Sequence, residues 1–179
     1  MPVTAVHIPR PGADEHLAYF SKYIVLVPGD DAFAVLQSEI ARTTGMLEGL
    51  SEAQASFRYE PGKWSVKQVV GHLSDGERVF AYRALSVARG DQTSLPSFDE
   101  NEYVAGGGFD QRSIQDVVAE WRAVRAASIA LFGSLTPETL ARRGTANNAP
   151  ITPRALAWIA AGHELHHASL LRERYRLGG

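Results

Sequence analysis

Three of the six histidines in this chain fall within five residues, in Gly162-His163-Glu164-Leu165-His166-His167. Apolar residues flank the run, Ala155-Leu156-Ala157-Trp158-Ile159-Ala160-Ala161 before it and Ala168-Ser169-Leu170-Leu171 after it. This patterning predicts a helix on which His163 and His167, four residues apart, share a face. Two imidazoles one turn apart have the spacing with which a helix offers nitrogen ligands to one metal ion. Leu156, Ala160, Leu170 and Leu171 fall on the same side. Polar rings on an apolar face are costly unless something satisfies both of them. A metal ion does so.

A third histidine, His72, lies in another apolar-periodic stretch, Val69-Val70-Gly71-His72-Leu73-Ser74-Asp75. Taken alone it reads as a satisfied core histidine. Beside the His163–His167 pair it completes a three-His site if the two helices face each other. Three protein ligands leave a position open for water or substrate, which is the catalytic rather than the structural arrangement. Asp75, one turn beyond His72, is the candidate catalytic group, able to orient a ligand ring or act as a base. An ordinary salt bridge is the alternative reading of Asp75. His166 cannot point at the same spot as its neighbour His167, so it belongs at the rim or is simply exposed. His7 and His16 receive no role.

His163 to His167 also spells H-E-x-x-H, the zinc-protease motif in which the Glu is a general base. Those enzymes take a third ligand from further downstream, and Glu173 is too close along the same helix to serve. The spelling therefore reads as a coincidence of spacing. Arg83 and Arg174 could hold an anionic substrate, though basic residues near helix ends are more often solvated.

The elements that must position these groups follow from the same periodicity. Met1 to Gly12 carries three prolines and reads as an irregular lead-in. Ala13 to Val27 has helical spacing and stops at Pro28-Gly29. Asp30 or Asp31 can cap a second helix reaching about Leu50. Ser65 caps a long helix from Val66 to about Arg89, closed by Gly90-Asp91. Gln92 to Asp110 reads as a long loop, either functional or a crossover connection that packs Phe98 and Tyr103. Ser113 caps another long helix to about Phe132, and Pro137 starts a short one. Arg142 to Pro150 is polar and turn-rich. Thr152-Pro153 opens the last helix, which runs to about Tyr175. No stretch alternates with period two. Four long helices with intervening loops predict an all-α four-helix bundle with a crossover connection and short accessory helices, one domain over residues 1–179.

The bulk composition narrows the functional classes. Hydrophobic residues make up 45% and charged residues 21% of 179 residues, an ordinary globular balance. A net charge of -2 argues against a broad nucleic-acid-binding surface. No apolar run approaches a membrane span, and the N-terminus lacks a signal-peptide pattern, so a cytoplasmic protein is the expectation. There is no cysteine. Any metal must sit on His and carboxylate, and any thiol chemistry must use an external thiol.

The stretch Lys63-Trp64-Ser65-Val66-Lys67-Gln68-Val69-Val70-Gly71-His72-Leu73-Ser74-Asp75-Gly76-Glu77-Arg78 resembles the second-helix signature of the DinB/YfiT-like superfamily: W-S/T, apolar positions, then H-x-x-D. His163 to His167 resembles its last-helix H-x-x-x-H signature. The order and spacing of the two motifs match over about Ala13 to Tyr175. The resemblance implies a four-helix bundle of unusual connection order. It also implies a divalent metal, zinc or nickel, on His72, His163 and His167, and a homodimer. Characterised members are transferases and isomerases that use a low-molecular-weight thiol such as bacillithiol, mycothiol or glutathione.

The reading that results is a metal-dependent enzyme acting on a small-molecule substrate, as a hydrolase or as a low-molecular-weight-thiol S-transferase. A non-catalytic metal-binding or stress-response module is the alternative. No nucleic-acid or membrane partner is expected.

Overall fold

The computed structural model describes residues 6–178; residues 1–5 of the expected lead-in, and Gly179, lie outside the described residues. In chain order the helices are α1 (Ser21–Ile24), α2 (Ala32–Gly45), α3 (Glu52–Ala55), α4 (Val66–Ala88), α5 (Glu100–Gly106), α6 (Ile114–Gly133), α7 (Pro137–Leu140) and α8 (Pro153–Glu173). A small hairpin, β1 (Gly144–Ala146) and β2 (Ala149–Ile151), precedes α8. The long helices begin where side-chain oxygens replace missing backbone partners. Asp31 accepts from the Phe33 amide, Ser65 from Gln68, Ser113 from Asp116 and Thr152 from Ala155.

α4 packs against α6 and α8, and α2 packs against the same two helices. α2 and α4 therefore stand across the bundle from each other, as do α6 and α8. Close contacts fix the directions. Phe109, just before α6, lies against Gly71 near the start of α4, and Arg142, beyond the end of α6, donates to the Ala88 carbonyl at the end of α4. These two neighbours run parallel. Tyr175, past the end of α8, donates to the Trp64 carbonyl just before α4 at 2.7 Å, so α8 is antiparallel to α4. Phe33 at the start of α2 meets Gly133 at the end of α6, so that pair is antiparallel too.

Two parallel neighbours joined in sequence need a connection that travels the length of the bundle. The segment between α4 and α6 does this, as the crossover reading of residues 92–110 anticipated. It is not a bare loop, because Asp99 caps α5 within it and a 3-10 turn forms at Phe109–Gln111.

Two further expectations need correction. Ala13 to Val27 is not one helix: two 3-10 turns, Ala13–Glu15 and Ala18–Phe20, lead into α1, with His16 and Leu17 extended between them. The segment bends because it wraps onto α8. A Cβ at Gly162 would lie 2.1 Å from the Tyr23 carbonyl oxygen, so only glycine admits this approach. The polar stretch after Arg142 forms the hairpin, turning through Asn147 and Asn148, both at positive φ (54° and 58°). Asn is among the few residues that tolerate this conformation. Strands of three residues are too short to show a period of two.

The core divides into two apolar clusters. One holds Leu36, Phe80, Phe132, Leu156, Trp158 and Ile159. The other holds Val66, Val70, Leu73, Val117, Trp121 and Leu171. The level between them is polar. Arg125 of α6, 1% exposed, grips both carboxylate oxygens of Glu77 on α4 at 2.8 and 2.7 Å and reaches Glu164 of α8 at 2.5 Å. Buried ions gain little net stability, but one guanidinium tied to two helices fixes their register, which we regard as its role here. His72 and His163 lie at this level of the bundle.

Among the described residues no helix is long and apolar enough to cross a membrane.

Candidate metal centre

The antiparallel packing of α8 on α4 brings His72, His163 and His167 together, with one ligand-type nitrogen from each lying within 4.8 Å of the others. The Nε2 atoms of His72 and His163 are 2.9 Å apart. Among the described residues no other group of three His, Asp or Glu donors converges in this way. All three rings are buried, with 4 to 7% of each residue exposed.

Aromatic neighbours hold the rings. Trp64 lies over His72 with centroids 4.8 Å apart. Tyr23 and Phe80 meet His163 edge-on at 5.3 and 5.5 Å. A quadrupolar ring face against a ring edge favours these T-shaped contacts. Gly76 supplies the space, since a Cβ there would stand 3.1 Å from the His163 Cε1. The Tyr175–Trp64 hydrogen bond then ties the end of α8 to the residue that covers His72.

Burial keeps the rings neutral. Desolvation, then the nearby His166, pulls the His72 pKa down to about 4. Desolvation, then the other imidazoles, lowers His163 and His167 well below the usual histidine range. A neutral imidazole keeps a lone pair for a metal, and no proton need be displaced at neutral pH. The buried Nδ1 of His167 has no hydrogen-bond partner among the described residues. Three converging neutral nitrogens fit a borderline-soft divalent ion such as zinc, nickel or copper.

The cluster forms the floor of a cavity of about 350 Å³. Aromatic side chains, Tyr19, Tyr23, Trp64, Phe80 and Phe98, make up much of its wall, with Lys22, Arg83, Glu100, Asn147 and His166 as its polar groups. His166 lines the cavity, its ring 5.5 Å from Tyr23 and its pKa lowered by partial burial. Asp75 is not among the lining residues; its carboxylate lies 3.3 Å from Arg78 on the same helix. Glu164 points away from the histidines into the Arg125 network, so the H-E-x-x-H spelling places no base at this site.

The profile of the DinB superfamily matches residues 36–171, three quarters of the sequence and both histidine motifs. The chain belongs to the DinB superfamily. YfiT from Bacillus subtilis, described as "a probable metal-dependent hydrolase with an unusual four-helix bundle topology", superposes with a TM-score of 0.74 over 98% of this chain and 97% of its own, at 19% identity. The mycothiol-dependent maleylpyruvate isomerase superposes with a TM-score of 0.65 at 12% identity, covering 77% of this chain and 58% of the isomerase. At these identities the two likenesses are of fold. No curated protein matches the sequence. The parallel α4–α6 pair joined by a long crossover belongs to the fold that this DinB protein has in common with YfiT.

Sequence reasoning missed the buried charges Glu15, Glu39, Lys67, Glu77 and Arg125, and did not anticipate the burial of Arg83. One signal was available. Arg125 follows Trp121 by four residues and precedes Phe132 by seven, and Arg83 lies between Phe80 and Val87, so each interrupts an apolar stripe.

Proposed function

We propose that this DinB protein is a divalent-metal-dependent enzyme whose ion is held by His72, His163 and His167 and whose substrate is a small molecule. The observation that carries this reading is the convergence of three buried, neutral imidazoles on the floor of a cavity that opens to solvent. A sealed cluster would have favoured a structural ion or a non-catalytic module. Zinc or nickel suits the all-nitrogen donor set. When bound, such an ion supplies Lewis acidity that lowers the pKa of a water or an external thiol.

The protein's own residues do the remainder. Trp64, Tyr23 and Phe80 hold the ligand rings and exclude bulk water from their edges. His166 is the neutral imidazole on the wall beside this floor, and a ring nitrogen there can take up the proton that the nucleophile releases. The aromatic walls seat an apolar substrate body. Absence of cysteine leaves the site free of an internal competing thiol. Hydrolysis and low-molecular-weight-thiol S-transfer share this geometry; the likeness to YfiT supports the first, and the mycothiol dependence of the isomerase supports use of an external thiol. We also propose that the chain works in the cytoplasm, where such thiols are reduced, and self-associates as a homodimer. Tyr82 and Leu85 on the outer face of α4 offer exposed apolar surface for that contact.

Metal analysis of untagged protein is the test. About one ion per chain is expected, lost in His72→Ala and His167→Ala. Loaded protein is then assayed for ester and amide hydrolysis, and for conjugation of monochlorobimane to bacillithiol, mycothiol and glutathione. Stoichiometric metal persisting in both variants overturns the ligand set. A loaded protein inactive in every assay overturns the enzyme reading, and light scattering decides the dimer.

A further inference from the structure

Two arginines are buried within the bundle, and they differ in one respect. Arg125 is enclosed by two carboxylates, as a desolvated cation requires. Arg83, 2% exposed, has none: among the described residues no Asp or Glu lies within 4.0 Å of its guanidinium. Its two hydrogen bonds, both from Nη2, go to neutral oxygens, the Pro96 carbonyl at 2.5 Å and the Asn147 side chain at 3.0 Å. Nε and Nη1 bond to nothing among the described residues. Arg83 also lines the cavity above the histidines.

The surroundings hold this cation in place. The Asn147–Asn148 turn of the hairpin delivers the Asn147 oxygen. Leu95 donates to the Thr145 carbonyl at 2.9 Å and the Asn147 amide donates to Leu95 at 3.1 Å, which pins the crossover segment and its Pro96 carbonyl beside the hairpin. Phe98 lies 5.9 Å from the guanidinium carbon. Burial lowers the Arg83 pKa, the sign of a charge held without a full counter-ion. A buried cation fixed by neutral acceptors, with free donors facing a cavity, is arranged for an anion that arrives with the ligand.

We propose that Arg83 is the anion-recognition residue of the cavity, and that the substrate is a small carboxylate with a flat apolar body. The carboxylate accepts from a free donor of Arg83, while the body lies along the aromatic wall. Nη2 spends both its hydrogens on Pro96 and Asn147, and the free Nε and Nη1 point to opposite sides of the guanidinium, so the anion takes a single charge-assisted hydrogen bond, enough for a carboxylate and too few for a phosphate dianion. Among the described residues Glu100 is the one carboxylate on the wall, and it discriminates against more highly charged anions. This assignment rests on the proposed metal centre as the pole to which the reacting group is presented, but the anion site itself does not require the ion.

The test is a fluorine NMR titration of 4-fluorobenzoate and its neutral isostere 4-fluorobenzamide, using metal-loaded and chelator-treated protein. The carboxylate is expected to bind roughly tenfold or more tightly than the amide in both forms, the value of one charge-assisted pair. Arg83→Gln removes that preference while keeping the wild-type metal content and circular dichroism. Arg83→Lys, which keeps the charge without the planar guanidinium, retains part of it. Equal binding of acid and amide to the wild-type protein overturns the proposal without reference to any variant. A preference that survives in Arg83→Gln, or that disappears on chelation with Arg83 intact, assigns the anion elsewhere and also overturns it. Protein that binds no metal yet keeps the Arg83-dependent preference overturns the metal reading and leaves this one standing.

Discussion

Glu164 shows how one residue's direction decides its chemistry. It stands between His163 and the other histidines of α8, yet its carboxylate meets Arg125 inside the bundle. Burial raises its pKa, and Arg125 opposes that rise. A general base would face the cavity; this group faces a guanidinium. Glu164→Gln is therefore expected to keep its metal and any metal-dependent rate. It should lose about 1–3 kcal/mol of stability in urea denaturation, the cost of weakening one charged hydrogen bond. Glu77→Ala strips Arg125 of its two-point partner and should cost more, about 3–5 kcal/mol. A Glu164→Gln protein that stays stable but loses its rate would restore the catalytic role to the motif. At this scale the sequence was most readable where partners are one turn apart. His163 and His167 announce each other because a helix places i and i+4 on one face. Arg125 and the burial of Arg83 were harder to read, since each interrupts an apolar stripe but what satisfies or fails to satisfy it lies on other elements.

The N-terminal segment is held by a few polar contacts rather than by regular structure. The Ile8 carbonyl accepts from the Trp158 indole at 2.9 Å. Glu15 accepts from Thr152 at 2.8 Å and from Arg154 at 2.6 Å, so it clamps the segment to the start of α8. Burial alone would raise the Glu15 pKa. The Arg154 guanidinium, the Gly12 amide and the Thr152 hydroxyl overcome it and lower the value to about 2. The sign of the linkage follows. A carboxyl with a folded pKa near 2 and an unfolded one near 4.5 contributes stability that is full above about 4.5 and is lost as pH falls toward 2. Glu15→Gln should lower stability at pH 7 by about 1–3 kcal/mol and flatten the acid limb of the stability curve. Denaturant titrations from pH 7 to pH 2 check this; equal slopes in the two proteins would refute the clamp. The helices were legible through their caps and stripes, since Ser65, Ser113 and Thr152 all start helices where expected. The hairpin and the bent segment were not. Each owes its shape to a neighbour: the hairpin to the crossover at Leu95, the bend to Gly162.

Across the whole molecule, α4 and α8 supply every histidine of the cluster, and α6 locks both through Arg125. An ion bound there joins two helices that already pack, so it adds stability without creating the fold. With metal at about a hundred times its dissociation constant the gain is roughly 2.7 kcal/mol. For a chain of this size that corresponds to a melting temperature higher by about 5–10 °C. Calorimetry with and without chelator should show such a shift in the wild-type protein and none in His72→Ala. Fold class was legible from four periodic stretches and the crossover from the long 92–110 segment, whereas which helices pack side by side was not. Helix stripes say which side is buried but not which neighbour buries it.

The nitrogens 2.9 Å apart on His72 and His163 are separated by 91 residues of chain. Closing so long a loop is slow and entropically unfavourable, so the contact forms only after α8 has docked. A ribosome releases His72 well before its partners, and through that interval the nascent chain offers no assembled pocket to a passing cation. If the proposed ion binds, metallation becomes a late checkpoint in biogenesis, and a product truncated before α8 would leave the cell's metal pool untouched.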